Sequence, residues 1–481
     1  MDKFDLIVIG AGPGGYVAAI KAAKAGLNTA IVERIRVGGT CLNRGCIPTK
    51  AMIHASSLYK EILHESPLVG ISVDGAKFDY GKIVEYRCST IDELVTGIED
   101  LLDANGVTRI YGRGVLEAGE AAEGGRLVSV YDAAGCCTEY AADKVLLATG
   151  SVPELIPVPG IDLPGVLTSD GVFALEEMPE SLVVIGGGVI GVEFATIFAN
   201  LGAKVTLVVS SPKVLFKMDK EISQNLKMIL KKSGVEVYTG CSVQKIEEGC
   251  DCGNGYTVFF EEKGKEQTVC GQYVLCAKGR KPNLDGVFGE GVEIAMTGRF
   301  IDTDAAKGFE TSMPGVYAIG DIVPGIQLAH TASAHGICCI EKMTGEAPSL
   351  NLELIPSCVY TDPEIAQVGL TEADAKEQDI PVNVGKFIMS ANGRSLISHE
   401  ERGFIKVVVS EDDNVVLGAQ MMCARATDMI GEFTTAIANG LTVHDMLAGV
   451  RAHPTYNEGI TDALEAAIGE SIHTMPKRKR K

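Results

Sequence analysis

Residues 4–33 read FDLIVIGAGPGGYVAAIKAAKAGLNTAIVE. The opening FDLIVI (4–9) is short, apolar and rich in β-branched side chains, as a strand buried on both faces of a parallel sheet must be. Gly10, Gly12, Gly14 and Gly15 follow, then YVAAIKAAKAG, which is dominated by helix formers, then TAIVE, which ends at Glu33. Strand, Gly-x-Gly-x-x-Gly, helix, strand and closing acid are the parts of a dinucleotide-binding βαβ unit. The glycines let backbone approach a pyrophosphate at a helix N-terminus, and Glu33 can accept from the adenosine ribose hydroxyls.

Working outward, the pattern recurs. SLVVI (181–185) runs into Gly186-Gly187-Gly188-Val189-Ile190-Gly191, a helical stretch to about residue 201 and the strand KVTLVV. An internal duplication of the nucleotide-binding unit follows. The two copies differ at one informative place. The acid of the first copy stands 23 residues after the first glycine of its motif, Gly10 to Glu33, and the same count from Gly186 reaches Val209. The second copy has lost its ribose acid, and Ser210, Ser211 and Lys213 come after the vacated position. KVLLATG (144–150) closes the first unit at Gly150, and the Pro-rich VPELIPVPG (152–160) is expected to be a linker.

With 481 residues, the chain is long enough for about three domains. Asp and Glu (63) outnumber Lys and Arg (43), and the net charge of −20 argues against nucleic acid or an anionic membrane as partner. No apolar run approaches the ~18 residues of a membrane span, and MDKFDLIVIG at the start carries no expected targeting signal. The 14 cysteines include the vicinal pairs Cys136-Cys137 and Cys338-Cys339 and show no repeated metal-ligand spacing. Cys250 and Cys252 lie in a turn-like stretch without a nearby histidine, so no metal site is expected there. Free thiols in this number suit a reducing, cytoplasmic compartment. The terminal KRKRK is expected to be a solvated tail.

GGTCLNRGCIPTK (38–50) holds Cys41 and Cys46 directly after the first nucleotide unit, near whatever that nucleotide carries. Across an unbroken helix their Cα atoms would be ~7.5 Å apart along the axis, beyond the ~4.4–6.8 Å that a disulfide prefers. A bond between them needs a distorted helix start, which Asn43 and Gly45 permit. Strained, reducible disulfides are the catalytic kind; two buried free thiols are the alternative. Amphipathic helices are expected over 50–62 and over 91–104, the second with Ile91, Leu94, Val95, Ile98, Leu101 and Leu102 on one face. Further on, ETSMPGVYAIGDI (310–322) presents Asp321, IPSCVYTDPEIAQVGLTE (355–372) opens a mixed segment, and AHPTYNEG (452–459) places His453 and Glu458 between two helical stretches.

These five motifs, in this order, resemble those of the class I pyridine-nucleotide disulfide oxidoreductases, from Leu6 to about Ile468. The resemblance implies an α/β chain with two Rossmann-like dinucleotide-binding domains, for FAD and NAD(P), and a C-terminal α+β dimerisation domain. The expected units are 1–150 (FAD), 151–280 (NAD(P)), 281–350 (return to the FAD domain) and 351–481 (dimerisation). FAD would lie on Gly10, Gly12, Gly14, Gly15 and Glu33, with Lys50 near the flavin N5, Gly150 alongside, Asp321 at the ribityl chain, and Ala329 and His330 close by. The nicotinamide nucleotide would lie on Gly186, Gly188 and Gly191, with Glu193 beside the nicotinamide, Val209 at the ribose, and Gly279 and Arg280 closing over it. Cys41 and Cys46 would form the redox disulfide, Cys46 being the flavin-proximal sulfur. His453, oriented by Glu458, would act as the base in the partner subunit's site of an obligate homodimer.

Within the family the chain looks most like the branch that oxidises dihydrolipoamide and reduces NAD. Its partner would be a lipoyl-bearing protein of a 2-oxo-acid dehydrogenase or glycine-cleavage complex. Members preferring NAD usually carry Glu where this chain has Val209, and NADP-preferring relatives usually carry arginines at the positions of Ser210 and Phe216. NAD is expected here, with NADP use open, and Lys278 stands where an apolar residue is usual. A reductase of a glutathione-like thiol is the nearest alternative, but LNRG between the cysteines and IPTK after them fit the lipoamide branch better. A mercuric reductase needs a C-terminal cysteine pair, whereas the last cysteine here is Cys423. A non-catalytic redox sensor would not need His453 and Glu458.

Overall fold

The computed structural model describes residues 1–250 and 253–473. The expectations for Cys252 and for the basic tail (477–481) lie outside them. Among the described residues, no helix is long and apolar enough to cross a membrane.

The FDLIVI strand, Lys3–Ile9, sits inside a seven-stranded sheet, parallel to Thr29–Glu33 on one side and to Cys137–Leu147 on the other. Leu6, Ile7 and Val8 are fully buried, as an apolar run facing cover on both sides predicts. The chain leaves this strand through Gly10 at φ +105°, where a Cβ would lie 2.4 Å from the Ala148 carbonyl oxygen. No other residue fits there. The crossover helix Pro13–Lys24 returns the chain to the sheet and packs on the helix Ala329–Met343. Small residues allow that approach: a Cβ on Gly336 would be 2.7 Å from the Gly14 carbonyl oxygen. Val316–Ala318, far along the chain, completes the sheet by pairing with Val145–Leu147.

A second, five-stranded parallel sheet runs Glu236–Thr239, Lys204–Val209, Ser181–Ile185, Tyr273–Cys276 and Val166–Leu167. Its glycine turn repeats the first one. A Cβ on Gly15 would lie 1.8 Å from the Gly10 oxygen, and one on Gly191 would lie 1.9 Å from the Gly186 oxygen. Three antiparallel strands, Cys241–Cys250, Gly253–Glu262 and Lys265–Gly271, form a separate small sheet. The third large sheet is antiparallel, in the order Ser357–Val359, Ile365–Gly369, Val416–Met422, Phe404–Ser410 and Val382–Ile388. Helices Ala426–Ala438 and Glu458–Ala467 bury their apolar faces on it.

Three local expectations are corrected. The Pro-rich connection is not a free linker at its start: Ser151–Pro153 pairs antiparallel with Arg280–Pro282, so the strands leaving and re-entering the first unit hold each other. The helix expected over 50–62 spans Cys46–His64. The helix expected from residue 91 begins at Tyr80, where the Asp79 carboxylate accepts from the Lys82 N–H at 3.1 Å and caps the first turn. That helix buries only Ile91, Val95 and Leu102 of the expected face; Leu94 and Leu101 are 42% and 52% exposed.

The third sheet is tied to the second unit by charge. Lys406, 8% exposed, places Nζ 3.0 Å from the Asp219 carboxylate, itself 9% exposed. Asp219 also caps the helix Lys220–Lys232 by accepting from the Glu221 N–H at 2.8 Å. Removing one partner of such a pair leaves an uncompensated buried charge. Lys406→Ala is therefore expected to destabilise the FAD-loaded protein by roughly 3–5 kcal/mol, read as a fall in its thermal midpoint. An unchanged midpoint would show that Asp219 is satisfied without it.

Candidate active site

The cysteine stretch is pressed against the first glycine turn. Gly38 and Gly39 take φ +93° and +58°, and a Cβ on Gly39 would lie 2.5 Å from the Gly12 Cα. A short helix, Gly39–Arg44, ends at Gly45 (φ −143°, ψ −111°), and a 19-residue helix starts at Cys46. This is the break between the two cysteines that their spacing requires. It folds Gly45 back onto the preceding turn, where a Cβ would be 2.8 Å from the Thr40 oxygen and 3.2 Å from the Cys41 Cα. Asn43 holds the short helix by donating from Nδ2 to the Val37 and Gly39 carbonyls at 2.9 and 3.0 Å. Thr49 caps the break by donating to the Gly45 carbonyl from both N and Oγ1, at 3.1 and 2.6 Å.

Cys41 and Cys46 are free thiols in this structure and interact side chain to side chain. The Cys41 thiol donates to the Cys46 sulfur, and this with the Lys50 charge outweighs burial and pulls Cys46 down to about 7. The same hydrogen bond, with burial, pushes Cys41 up. Cys46 is also the first residue of its helix, where the dipole favours an anion. Of the pair, Cys46 is the one drawn toward thiolate and Cys41 the one held toward its protonated form.

Lys50, one turn beyond Cys46, reaches across to the second unit. Its Nζ lies 2.9 and 2.8 Å from the two carboxylate oxygens of Glu193, which is 3% exposed. Glu193 Oε1 also accepts from the Tyr360 N–H at 3.0 Å, and the Tyr360 ring lies 4.5 Å from the ammonium. Sequence reasoning missed Tyr360 because its part is played by a backbone N–H, which leaves no mark on residue type.

These groups border a cavity of about 490 Å³. Its wall brings together Gly10, Gly12, Gly14, Glu33, Cys41, Cys46, Lys50, Gly150, Asp321 and Ala329 with Gly188, Glu193, Gly279 and Arg280. The residues suit FAD. Glu33 at the end of its strand accepts from the Ala11 N–H at 3.0 Å and the Ile35 N–H at 2.8 Å, which fixes the carboxylate and leaves lone pairs for a ribose diol. Gly150, at φ +70°, has nothing within 4 Å of where a Cβ would stand, and Gly12 has only the Gly39 Cα at 3.8 Å. Both leave open cradles beside the turn. The second turn suits a dinucleotide for the same reason, with nothing within 4 Å of the Cβ position of Gly188.

Asp321 is held from below. Its Oδ2 accepts from Ser151 Oγ at 2.5 Å, while Arg280 donates from Nε to that Oγ at 2.7 Å and from Nη2 to the Ser151 carbonyl at 2.6 Å. His335 Nδ1 accepts from the Gly320 N–H at 3.3 Å, and burial lowers this histidine to about 4, so it remains a neutral acceptor. Arg280, expected over the nicotinamide nucleotide, is thus turned toward Ser151 and Asp321, with Thr40 Oγ1 3.5 Å away. Lys278, considered as a cation for the nucleotide, is paired with Glu154 at 3.1 Å, and Arg299 takes the other oxygen at 2.8 Å. Ala329 lines the cavity, whereas His330 turns to the Pro356 carbonyl, 2.8 Å from Nε2. Gly15, Gly186 and Gly191 lie behind the wall, and Val209 is buried at 2% exposure.

His453 and Glu458 are brought together but stand away from their own chain's cavity. Nδ1 of His453 is 2.8 Å from Glu458 Oε1, and Oε2 accepts from the Thr455 N–H at 2.9 Å. Burial works to raise the Glu458 carboxyl, yet the Thr455 amide and His453 together hold it below the usual carboxylate range. The imidazole is 78% exposed, and Val450 nearby in the same loop is 99% exposed. Arg451 anchors the loop from beneath, ion-paired with Glu432 and donating to Thr461 Oγ1 at 3.0 Å.

Comparison with known proteins agrees with this geometry. Residues 4–336 match the family model of the pyridine nucleotide-disulphide oxidoreductases, and residues 355–464 match that family's dimerisation domain. The chain is 40% identical over 479 residues to a dihydrolipoyl dehydrogenase of Bacillus subtilis, covering 98% of each chain. It is 40% identical over 475 residues to that of Geobacillus stearothermophilus, again covering 98% of each. Among solved structures, LpdA from Mycobacterium tuberculosis superposes with a TM-score of 0.88 at 27% identity, covering 97% of this chain and 99% of that one. A HOCl-induced flavoprotein disulfide reductase from Escherichia coli superposes at 0.83 with 25% identity, covering 96% and 99%. Matches that run through both nucleotide units and on into the dimerisation domain leave one conclusion: this chain belongs to the pyridine nucleotide-disulphide oxidoreductase family.

Proposed function

We propose that the protein is a dihydrolipoyl dehydrogenase, oxidising protein-borne dihydrolipoamide to lipoamide through Cys41, Cys46 and FAD, and reducing NAD. The observation that carries this reading is the thiol pair astride Gly45, with Cys46 drawn toward thiolate by Cys41 and Lys50. The 40% identity to named dihydrolipoyl dehydrogenases supports the choice of substrate. FAD is assigned to Gly10, Gly12, Gly14, Gly15, Glu33, Lys50, Gly150, Asp321 and Ala329, and the nicotinamide nucleotide to Gly186, Gly188, Gly191, Glu193, Val209 and Gly279. Arg280 is assigned to positioning Ser151 and Asp321.

In the working cycle Cys41 and Cys46 start as a disulfide. His453 of the second subunit in a homodimer, neutral and with its Nδ1–H directed at Glu458, takes a proton from a substrate thiol at Nε2. The resulting thiolate attacks the Cys41 sulfur, the Cys41–Cys46 bond breaks, and Cys46 leaves as a thiolate. The second substrate thiol, once deprotonated, attacks the substrate sulfur joined to Cys41, closes the lipoamide ring and releases Cys41, which takes up a proton. Lys50 stabilises the Cys46 charge, and Glu193 fixes the Lys50 ammonium so that its position does not depend on solvent. When bound, FAD supplies the two-electron relay from the dithiol to the nicotinamide. The lipoyl group arrives on another protein, and the exposed loop of Val450 and His453 is the surface of this chain that a second copy would cover.

Anaerobic turnover of dihydrolipoamide with NAD on FAD-loaded protein tests the assignment directly, and absence of turnover with either NAD or NADP would sink it. His453→Gln is expected to lower that turnover by about 10²–10⁴-fold while leaving reduction of the protein by NADH intact; loss of both would point to misfolding rather than a missing base. Lys50→Met removes the cation beside Cys46, so the thiol pKa rises and the acidic limb of the turnover profile should move to higher pH by about one unit. A limb that stays in place would separate Lys50 from the thiolate.

A further inference from the structure

The two nucleotide turns match each other closely enough to be compared residue by residue. Gly10 donates to the Val32 carbonyl at 2.8 Å, and Gly186 donates to that of Val208 at 2.9 Å. Both glycines have positive φ, +105° and +123°. Ala11 therefore corresponds to Gly187, and Glu33 to Val209. In the first copy the Glu33 carboxylate reaches back over the turn to the Ala11 N–H, a geometry that serves a ribose diol. In the second copy Val209 lays hydrocarbon over the same place: a Cβ on Gly187 would lie 2.7 Å from each of its γ carbons. The Val209 side chain cannot accept from a 2′-hydroxyl and carries no charge to repel a 2′-phosphate. The loop that follows folds back onto the turn, since Leu215 donates to the Gly187 carbonyl at 2.8 Å. That loop, 210–218, opens with Ser210 and Ser211, carries Lys213 and Lys217, and contains no acidic residue.

We propose that the second nucleotide site binds NADP(H) within tenfold of NAD(H), because Val209 on Gly187 replaces the discriminating acid with an apolar lid beside a basic loop. The inference rests on the reading that this unit holds a nicotinamide nucleotide. It is tested by binding, so that a failure of dihydrolipoamide turnover leaves it readable.

Isothermal titration of FAD-loaded protein with NAD and with NADP is expected to give dissociation constants within tenfold. A preference for NAD of tenfold or more, or no binding of either, would overturn the proposal. The double variant Gly187→Ala/Val209→Glu transplants the Ala11–Glu33 arrangement, and it should weaken NADP relative to NAD at least tenfold; an unchanged ratio counts against the inference. Should that variant lose FAD or fail to fold, Ser210→Asp places a carboxylate at the neighbouring exposed position. It should weaken NADP at least threefold with NAD unchanged, and equal effects on both would overturn the proposal.

Discussion

The Lys50–Glu193 ion pair is the contact on which the site depends. It joins a helix of the first unit to a helix of the second, and Tyr360 of the third segment closes over both. A pair this buried adds little net stability, because desolvation offsets most of the Coulombic gain. Its value lies in placement. With Glu193 fixed by a backbone N–H, the ammonium is held against a buried carboxylate, and its field falls on Cys46, four residues away on the same helix. The sulfur chemistry, the seam between the units and the packing of the third sheet thus share one charged contact, so a disturbance in any of them reaches the thiol.

The same physics quiets the thiols buried in the core. Burial pushes Cys339 and Cys423 up, Cys423 to about 12, and pushes Cys358 up to about 11, so these stay protonated and inert near neutral pH. Cys136 and Cys137 are exposed on a hairpin and do not line the cavity. Among the described cysteines, only Cys46 combines a partner thiol, a cation and a helix start. The vicinal pair Cys338-Cys339 is core material, lying with Ile340 on the buried face of the helix Ala329–Met343.

Much of this was legible in the sequence wherever a requirement fell on residue type. Gly10 and Gly186 had to be glycine because a Cβ would strike a carbonyl, and Gly45 because the chain doubles back on Thr40. The buried strands declared themselves through unbroken apolar runs. What escaped was set by partners distant in sequence. Arg280 meets Ser151 at the cavity wall because two short strands align them, and Lys278 is claimed by Glu154. The early start at Tyr80 depends on the side chain of Asp79, a cap that a hydrophobic period does not reveal. Leu94 and Leu101 fit the period but remain about half exposed, since periodicity gives a face and not its width.

The late strand of the first sheet has a consequence for biogenesis. Synthesis delivers Cys137–Leu147 to the ribosome exit long before its neighbour Val316–Ala318 exists, and the whole second sheet emerges in between. For that interval the nascent chain carries an unfinished sheet margin, the kind of edge to which other strands adhere. The intervening unit has every strand of its own sheet in hand by Cys276, so it can complete itself first. The order of translation therefore sets an order of assembly in which the inserted unit matures before the one that encloses it.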